Sequence, residues 1–114
     1  TGVALLCLEL CGKHRSEETL DAGDYVLHHL PKNVGAQYFY YSIYYCSQGM
    51  FQLGDAYWTK WAPVLYQVLT KTQKKDGSWP RGGGSESAAG PVYSTAMATL
   101  ALSVSYRQLP IYQR

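Results

Sequence analysis

Three segments of this chain are apolar almost all the way round and rich in small residues: VALLCLELCG at 3–12, IYYCSQGMFQLG at 43–54 and STAMATLALSV at 94–104. They recur at a spacing of about 40–50 residues, the range of helical repeat units. A more polar helical stretch follows each of the first two. A helix that is greasy on every side must be covered on every side, whereas an amphipathic one can lie outside. The pattern therefore predicts two layers, with inner helices at 2–12, 36–54 and 91–104 and outer helices at 16–30 and 56–74. No period-2 alternation of useful length appears, so no sheet is expected.

The outer stretches carry their own punctuation. In SEETLDAGDYVLHHLP, Ser16 suits a cap and Glu17 and Glu18 suit the first turn. Leu20, Leu27 and Leu30 share a stripe, and Pro31 stops the helix. In DAYWTKWAPVLYQVLTKTQ, Trp58, Trp61, Leu65, Val68 and Thr72 follow the spacing of a buried stripe, with Lys60, Gln67, Lys71 and Lys74 opposite. Pro63 either kinks this helix or opens its longer second half.

Composition narrows the function. The chain has 114 residues and a formal charge of +2. Its one basic cluster, Lys71, Lys74 and Lys75, falls where a helix ends and cations favour the macrodipole, so no nucleic-acid partner is expected. No apolar run reaches the roughly 20 residues of a membrane-spanning helix. Three cysteines make no disulfide framework here. Cys7 and Cys11 share a helix face with His14 three residues further on, yet Gly12 ends the helix between them. The two cysteines are therefore read as small core residues, and neither a metal nor another cofactor is expected. His28 and His29 point in different directions and read as helix-end residues.

The stretch QKKDGSW at 73–79 reads first as a corner. Gln73 ends an outer helix, Asp76-Gly77 turns the chain with glycine free to take positive φ, and Trp79-Pro80 returns it to the layer below. A tryptophan buried just past a helix end stabilises by about 2–3 kcal/mol.

Leu69, Gln73, Gly77 and Trp79 stand at the spacing Leu-x-x-x-Gln-x-x-x-Gly-x-Trp. An aromatic-rich helix precedes them, and a glycine-rich loop and GPVYSTAMATLAL follow. In this the chain resembles the Gln-Trp repeat of the squalene cyclase and protein prenyltransferase superfamily. The resemblance covers residues 36–106 and extends to 1–35 only through helix character. YYSIYYCSQGMFQLG and GPVYSTAMATLALSVSYRQLPIYQR are similar to the bacterial branch of that superfamily. It implies an α/α toroid, a ring of paired inner and outer helices around an apolar cavity, with Gln73, Gly77 and Trp79 as structural residues bracing the layers. The family's catalytic parts are not matched. The nearest approach to an Asp-x-Asp-Asp acid is DAGD, whose Asp21 and Asp24 fall on an exposed outer helix. Zinc-ligand candidates are scattered, and no Gly-Cys-Gly-Glu-Gln thioester run occurs, so no catalytic residue is assigned.

RGGGSESAAG at 81–90 lacks the Gly-Lys-Ser/Thr ending of a phosphate loop and reads as a mobile exposed loop. Tyr38, Tyr41, Tyr45, Gln48 and Gln52 fall on a single face of the middle inner helix. On a toroid's inner helix that face looks into the cavity, where aromatic rings suit an apolar or cationic ligand, an isoprenoid molecule among them, so these five are the candidate ligand-binding residues. The plainer reading packs the rings between helices.

Five helices make only an arc of a two-layer ring, which needs about a dozen, and an arc leaves apolar flanks uncovered. The chain is therefore expected to be one repeat segment of a longer protein, completed by its missing portion or by self-association. Three functions fit: a non-catalytic segment binding an apolar ligand or partner, a fragment of an isoprenoid cyclase or prenyltransferase whose catalytic residues lie elsewhere, and a purely structural repeat.

Overall fold

A computed structural model describes residues 1–106, apart from the side chain of Asp55. Five helices follow one another: α1 (Gly2–Leu10), α2 (Glu17–His28), α3 (Phe39–Leu53), α4 (Asp55–Thr72) and α5 (Glu86–Ser103), with a 3-10 turn at Val104–Tyr106. The described residues hold no strand, and a single isolated bridge joins Gln37 to Gly83. The RQLPIYQR end of the last resembling segment lies outside the described residues.

Helix α3 touches all four others. Helices α1 and α5 each lie against it and make no extended contact with one another, so α1, α3 and α5 form one row. Helix α2 leans on α1, α3 and α4, and α4 on α2, α3 and α5, making a second row. The all-round apolar segments thus occupy one row and the amphipathic ones the other. Small residues allow the close approach of α1 to α3. A Cβ on Gly2 would strike Cys46, and one on Gly49 would strike Leu5. The core along α3 is Phe39, Tyr40, Ile43, Met50 and Leu53, met by Leu5 from α1, Trp61, Leu65 and Leu69 from α4, and Ala98 and Ala101 from α5.

Local chemistry sets the boundaries. Ser16 caps α2 by accepting from the Thr19 N–H at 3.4 Å, with Glu17 and Glu18 in the first turn. The helix ends at His28, where the Nδ1 atoms of His28 and His29 lie 2.7 and 2.8 Å from the Asp24 and Tyr25 carbonyls. Between α3 and α4 stands Gly54 alone, at φ 113, which lets the chain reverse within one residue. Helix α4 runs unbroken through Pro63, which is exposed, so neither a break nor a fresh start occurs there. The buried stripe of α4 is Trp61, Leu65 and Leu69, while Trp58, Val68 and Thr72 flank it half-buried and Lys60, Gln67, Lys71 and Lys74 face solvent.

Four expectations need correction. The row containing α1 is not covered on every side, for Ala4, Cys7 and Cys11 are exposed, so two of the cysteines are surface residues and only Cys46 is buried. Helix α3 starts at Phe39 rather than 36, because Gln37 is held by Gly83 across the bridge. Helix α5 starts at Glu86 rather than 91, with Gly90 (φ 81, ψ 179) interrupting it and Pro91 opening its longer piece. Finally, RGGGSESAAG is an exposed loop only in part: Arg81, Gly84 and Ser85 are exposed, but Gly82 and Glu86 are buried, the second half belongs to α5, and a Cβ on Gly83 would overlap the Gly35 carbonyl.

The 73–79 corner is closed by its own residues. Gln73 caps α4 and its Nε2 donates to the Gly77 carbonyl at 2.9 Å, while Gly77 sits at φ 85. Asp76 accepts from the N–H and Oγ of Ser78 at 3.0 and 2.7 Å. Trp79 is 4% exposed; its Nε1 donates to the Leu69 carbonyl at 2.9 Å and its backbone N–H to Thr95 Oγ1 at 3.1 Å. Trp79 therefore joins the end of α4, through its indole, to α5, through its backbone N–H. Trp79→Ala is expected to lower stability by about 2–4 kcal/mol, and Trp79→Phe by less, since the ring stays buried and only the bond to Leu69 is lost. Denaturant midpoints of the two variants and the parent check this, and coincident midpoints exclude the bracing role.

Candidate functional site

Helix α3 begins without a local cap. Its N-cap residue, Tyr38, stands at φ 58, ψ 30 and accepts no N–H with its side chain. The first turn's donors are met from far along the chain instead. The Glu86 carboxylate accepts from the Tyr40 N–H at 3.1 Å and the Tyr41 N–H at 2.8 Å, and lies 3.4 Å from the Tyr93 hydroxyl. Glu86 is 4% exposed. A buried anion is tolerable here because it sits on the positive end of the helix dipole and is hydrogen-bonded on both oxygens. The close approach depends on Gly82, where a Cβ would meet Glu86 Oε2 at 2.5 Å. Sequence reasoning missed Glu86, though a signal existed: AQYFYY offers no Ser, Thr, Asp or Asn to cap α3, so an acceptor had to come from elsewhere.

This cap anchors a tyrosine cluster. Tyr41 and Tyr45 are 4.6 Å apart between ring centroids, Tyr44 and Tyr45 4.9 Å, and Tyr38 and Tyr41 6.3 Å edge to face. Tyr38 and Tyr41 are 48% and 40% exposed, and Tyr45 is half-buried. Burial raises the Tyr45 hydroxyl above its usual range, as do Tyr41, Tyr44 and the Cys7 thiol beside it. Burial likewise raises Tyr93, followed by Glu86, Tyr41 and Tyr45. The face thus reaches from Cys7 on α1 across Tyr41 and Tyr45 to Tyr93 on α5.

The five candidate residues do not share one environment. Tyr38 lies just outside the helix, Tyr41 and Tyr45 meet with their rings tilted at 52°, Gln52 is half-buried, and Gln48 is buried at 2% exposure. Among the described residues, grooves lie elsewhere. One of about 580 Å³ runs between the 73–79 corner and α5 along Lys74, Asp76, Pro91, Val92 and Thr95. One of about 210 Å³ is lined by Tyr25, Val26, His29, Ser42 and Cys46, and one of about 250 Å³ by Lys32, Gln67 and Lys71.

Other chemistry-bearing residues are spoken for. Asp21 and Asp24 are exposed on α2, and Asp24 is hydrogen-bonded to Tyr57, whose hydroxyl burial raises first. His14 Nδ1 lies 2.6 Å from Glu9 Oε2, a side chain itself buried. Burial pushes the Cys46 thiol up to about 11, which makes it a poor nucleophile. Among the described residues no three His, Cys, Asp or Glu side chains come together as a metal site, and no helix is long and apolar enough to cross a membrane. Comparison of the chain with family models, with curated proteins and with solved structures returns no match.

Two outcomes follow from the cap. Glu86→Ala leaves the Tyr40 and Tyr41 N–H groups without their acceptor and is expected to cost about 1–3 kcal/mol, with Glu86→Gln costing less. Urea denaturation decides between them, and a Glu86→Ala midpoint equal to the parent's excludes the cap.

Tyr40 is fully buried, donates to the Pro80 carbonyl at 2.9 Å, and is pushed from 10.0 up to about 12 by burial and then by Glu86. A raised value in the fold means that its contribution is complete below pH 10 and is lost as pH rises towards 12. Stability measured across that window should fall less steeply in Tyr40→Phe than in the parent.

Proposed function

We propose that this chain is an arc of an α/α toroid of the terpenoid cyclase and prenyltransferase type, non-catalytic by itself, which binds an apolar molecule on the inner face of α3. The observation that carries the reading is the tyrosine face: two rings, Tyr38 just ahead of α3 and Tyr41 in its first turn, remain well exposed at the head of a helix enclosed by four neighbours. An aromatic surface of this kind offers flat apolar area at low entropic cost, and the hydroxyl groups keep it wetted while it is unoccupied. The two-row packing and the 73–79 corner are what a repeat of that fold requires. The exposed stretches Ala4, Cys7 and Cys11 on α1 and Val92 and Ala96 on α5 fit flanks completed by a second copy or by further chain.

Carbocation chemistry needs a strong acid or a metal to start it and a closed, dry cavity to protect it. The residues assigned to this face supply rings and amides, which bind but do not initiate. The fragment reading, in which a longer chain brings the acid, uses the same face for the same ligand.

Titration with a fluorescent apolar probe should show saturable binding that falls about tenfold when Tyr41 and Tyr45 are both changed to alanine, as for the loss of two stacked rings. Incubation with squalene or a prenyl diphosphate should leave both unchanged. Product formation overturns the non-catalytic reading, and probe binding indifferent to the double substitution returns the tyrosines to a packing role.

A further inference from the structure

We propose that the ligand of the tyrosine face is an apolar molecule carrying a hydroxyl, a long-chain or cyclic alcohol, and that Gln48 accepts the hydrogen bond from that hydroxyl. The inference rests on the reading of this face as ligand-binding and names the class of molecule.

Gln48 is 2% exposed, and its Oε1 is buried without a hydrogen-bond partner among the described residues. Folded chains keep few such atoms, since a buried carbonyl that loses water and gains nothing in return is costly. The rest of α3 obeys this rule. Its neighbour Ser47, fully buried, donates to the Ile43 carbonyl at 2.7 Å and accepts from Trp61 Nε1 at 2.9 Å. At the head of the same helix the buried Glu86 carboxylate receives the Tyr40 and Tyr41 N–H groups. Gln48 departs from the pattern, and it does so on the tyrosine stripe. A period of 3.6 residues lines up Tyr41, Tyr45, Gln48 and Gln52 along one side of the helix.

A carbonyl oxygen only accepts, so its complement is a donor. A hydroxyl supplies one while adding little polarity to an apolar body that stacks on Tyr41 and Tyr45. A hydrocarbon leaves the amide as it stands. A diphosphate brings negative charge towards Glu86, the anion held against Tyr41 and Tyr93, and gives Gln48 no donor when ionised. A buried amide carbonyl on the helical stripe of Tyr41 and Tyr45 therefore selects the alcohol.

The 114-residue chain is loaded with the fluorescent apolar probe, which is then displaced by farnesol, farnesyl methyl ether, a hydrocarbon of the same length or farnesyl diphosphate. Farnesol should displace the probe at a concentration roughly 3- to 10-fold below that needed for the ether, hydrocarbon or diphosphate, the range of one buried hydrogen bond. In Gln48→Met, of similar length and without the carbonyl, the alcohol should fall to the level of the ether.

Equal displacement by alcohol and ether in the parent overturns the inference without any variant. So does a preference for the alcohol that survives Gln48→Met. If the alcohol and ether act equally, yet both lose potency in Tyr41→Ala with Tyr45→Ala, the class assignment fails while the binding face stands. Displacement unaffected by the tyrosine substitutions removes the face itself, and the inference with it.

Discussion

The structure depends on the enclosure of one helix. α3 carries apolar or buried residues around most of its circumference, and a helix of that kind has no stable place at a surface. Its neighbours are arranged accordingly. α1 approaches through the Gly2–Cys46 and Gly49–Leu5 contacts, α4 supplies Trp61 to the Ser47 hydroxyl, and α5 brings Ala98 and Ala101 into the same core. The first turn of α3 is equally dependent on distant chain. Its first N–H groups would remain orphaned if Glu86 did not reach them, and Glu86 reaches them only because the glycines at 82 and 83 let backbone pass where side chains would collide. Enclosing the helix and capping it are thus one problem, solved in part by Trp61 from the next helix and in part by Glu86, more than forty positions away.

Two corners carry the energetic connection between rows, by different means. At 73–79 the turn is satisfied internally by Gln73 and Asp76, and Trp79 alone reaches outward, to the Leu69 carbonyl and Thr95. At 82–86 the backbone turns on short local bonds, the Glu86 N–H to the Gly83 carbonyl and the Ser87 N–H to the Gly84 carbonyl, while the side chain of Glu86 reaches away. The segment is pressed against residues 35–37 and hands its carboxylate to a different helix. The first corner can be read locally because its partners lie within a few residues. The second cannot, because its partner lies on another helix, more than forty residues away.

That difference explains what the sequence disclosed. Helix number, the two-row division and the Gln73-Gly77-Trp79 turn follow from periodicity, capping residues and turn chemistry, all of which act over short spans. The late start of α3 and the early start of α5 do not, since Tyr38 stands at φ 58 ahead of α3 and Glu86, at the start of α5, is held on the first turn of that distant helix. The exposure of Cys7 and Cys11 was also illegible: an apolar stretch shows that a helix seeks cover, and not which of its faces finds it. Within the candidate face, the stripe of Tyr41, Tyr45, Gln48 and Gln52 could be read from spacing alone. The separation into exposed rings and a buried amide could not, because it depends on how α1 and α5 flank α3.

The choice of tyrosine on that stripe bears on how the face behaves. Leucine or phenylalanine at positions 41 and 45 would present the same apolar area with no means of satisfying water, and an exposed patch of that composition drives association. Tyrosine divides the two demands, for the ring gives stacking surface while the hydroxyl remains solvated. Holding three such rings in contact fixes their orientation before anything binds, so little side-chain freedom is lost on binding. The same logic separates Tyr40 from its neighbours. Tyr40 turns inward, is fully buried and commits its hydroxyl to Pro80, so it belongs to the frame. Tyr41 begins its turn on the same carboxylate through its backbone and leaves its ring outside. One buried anion therefore fixes, through two consecutive N–H groups, both a tyrosine that holds the fold and a tyrosine that is free to meet a ligand.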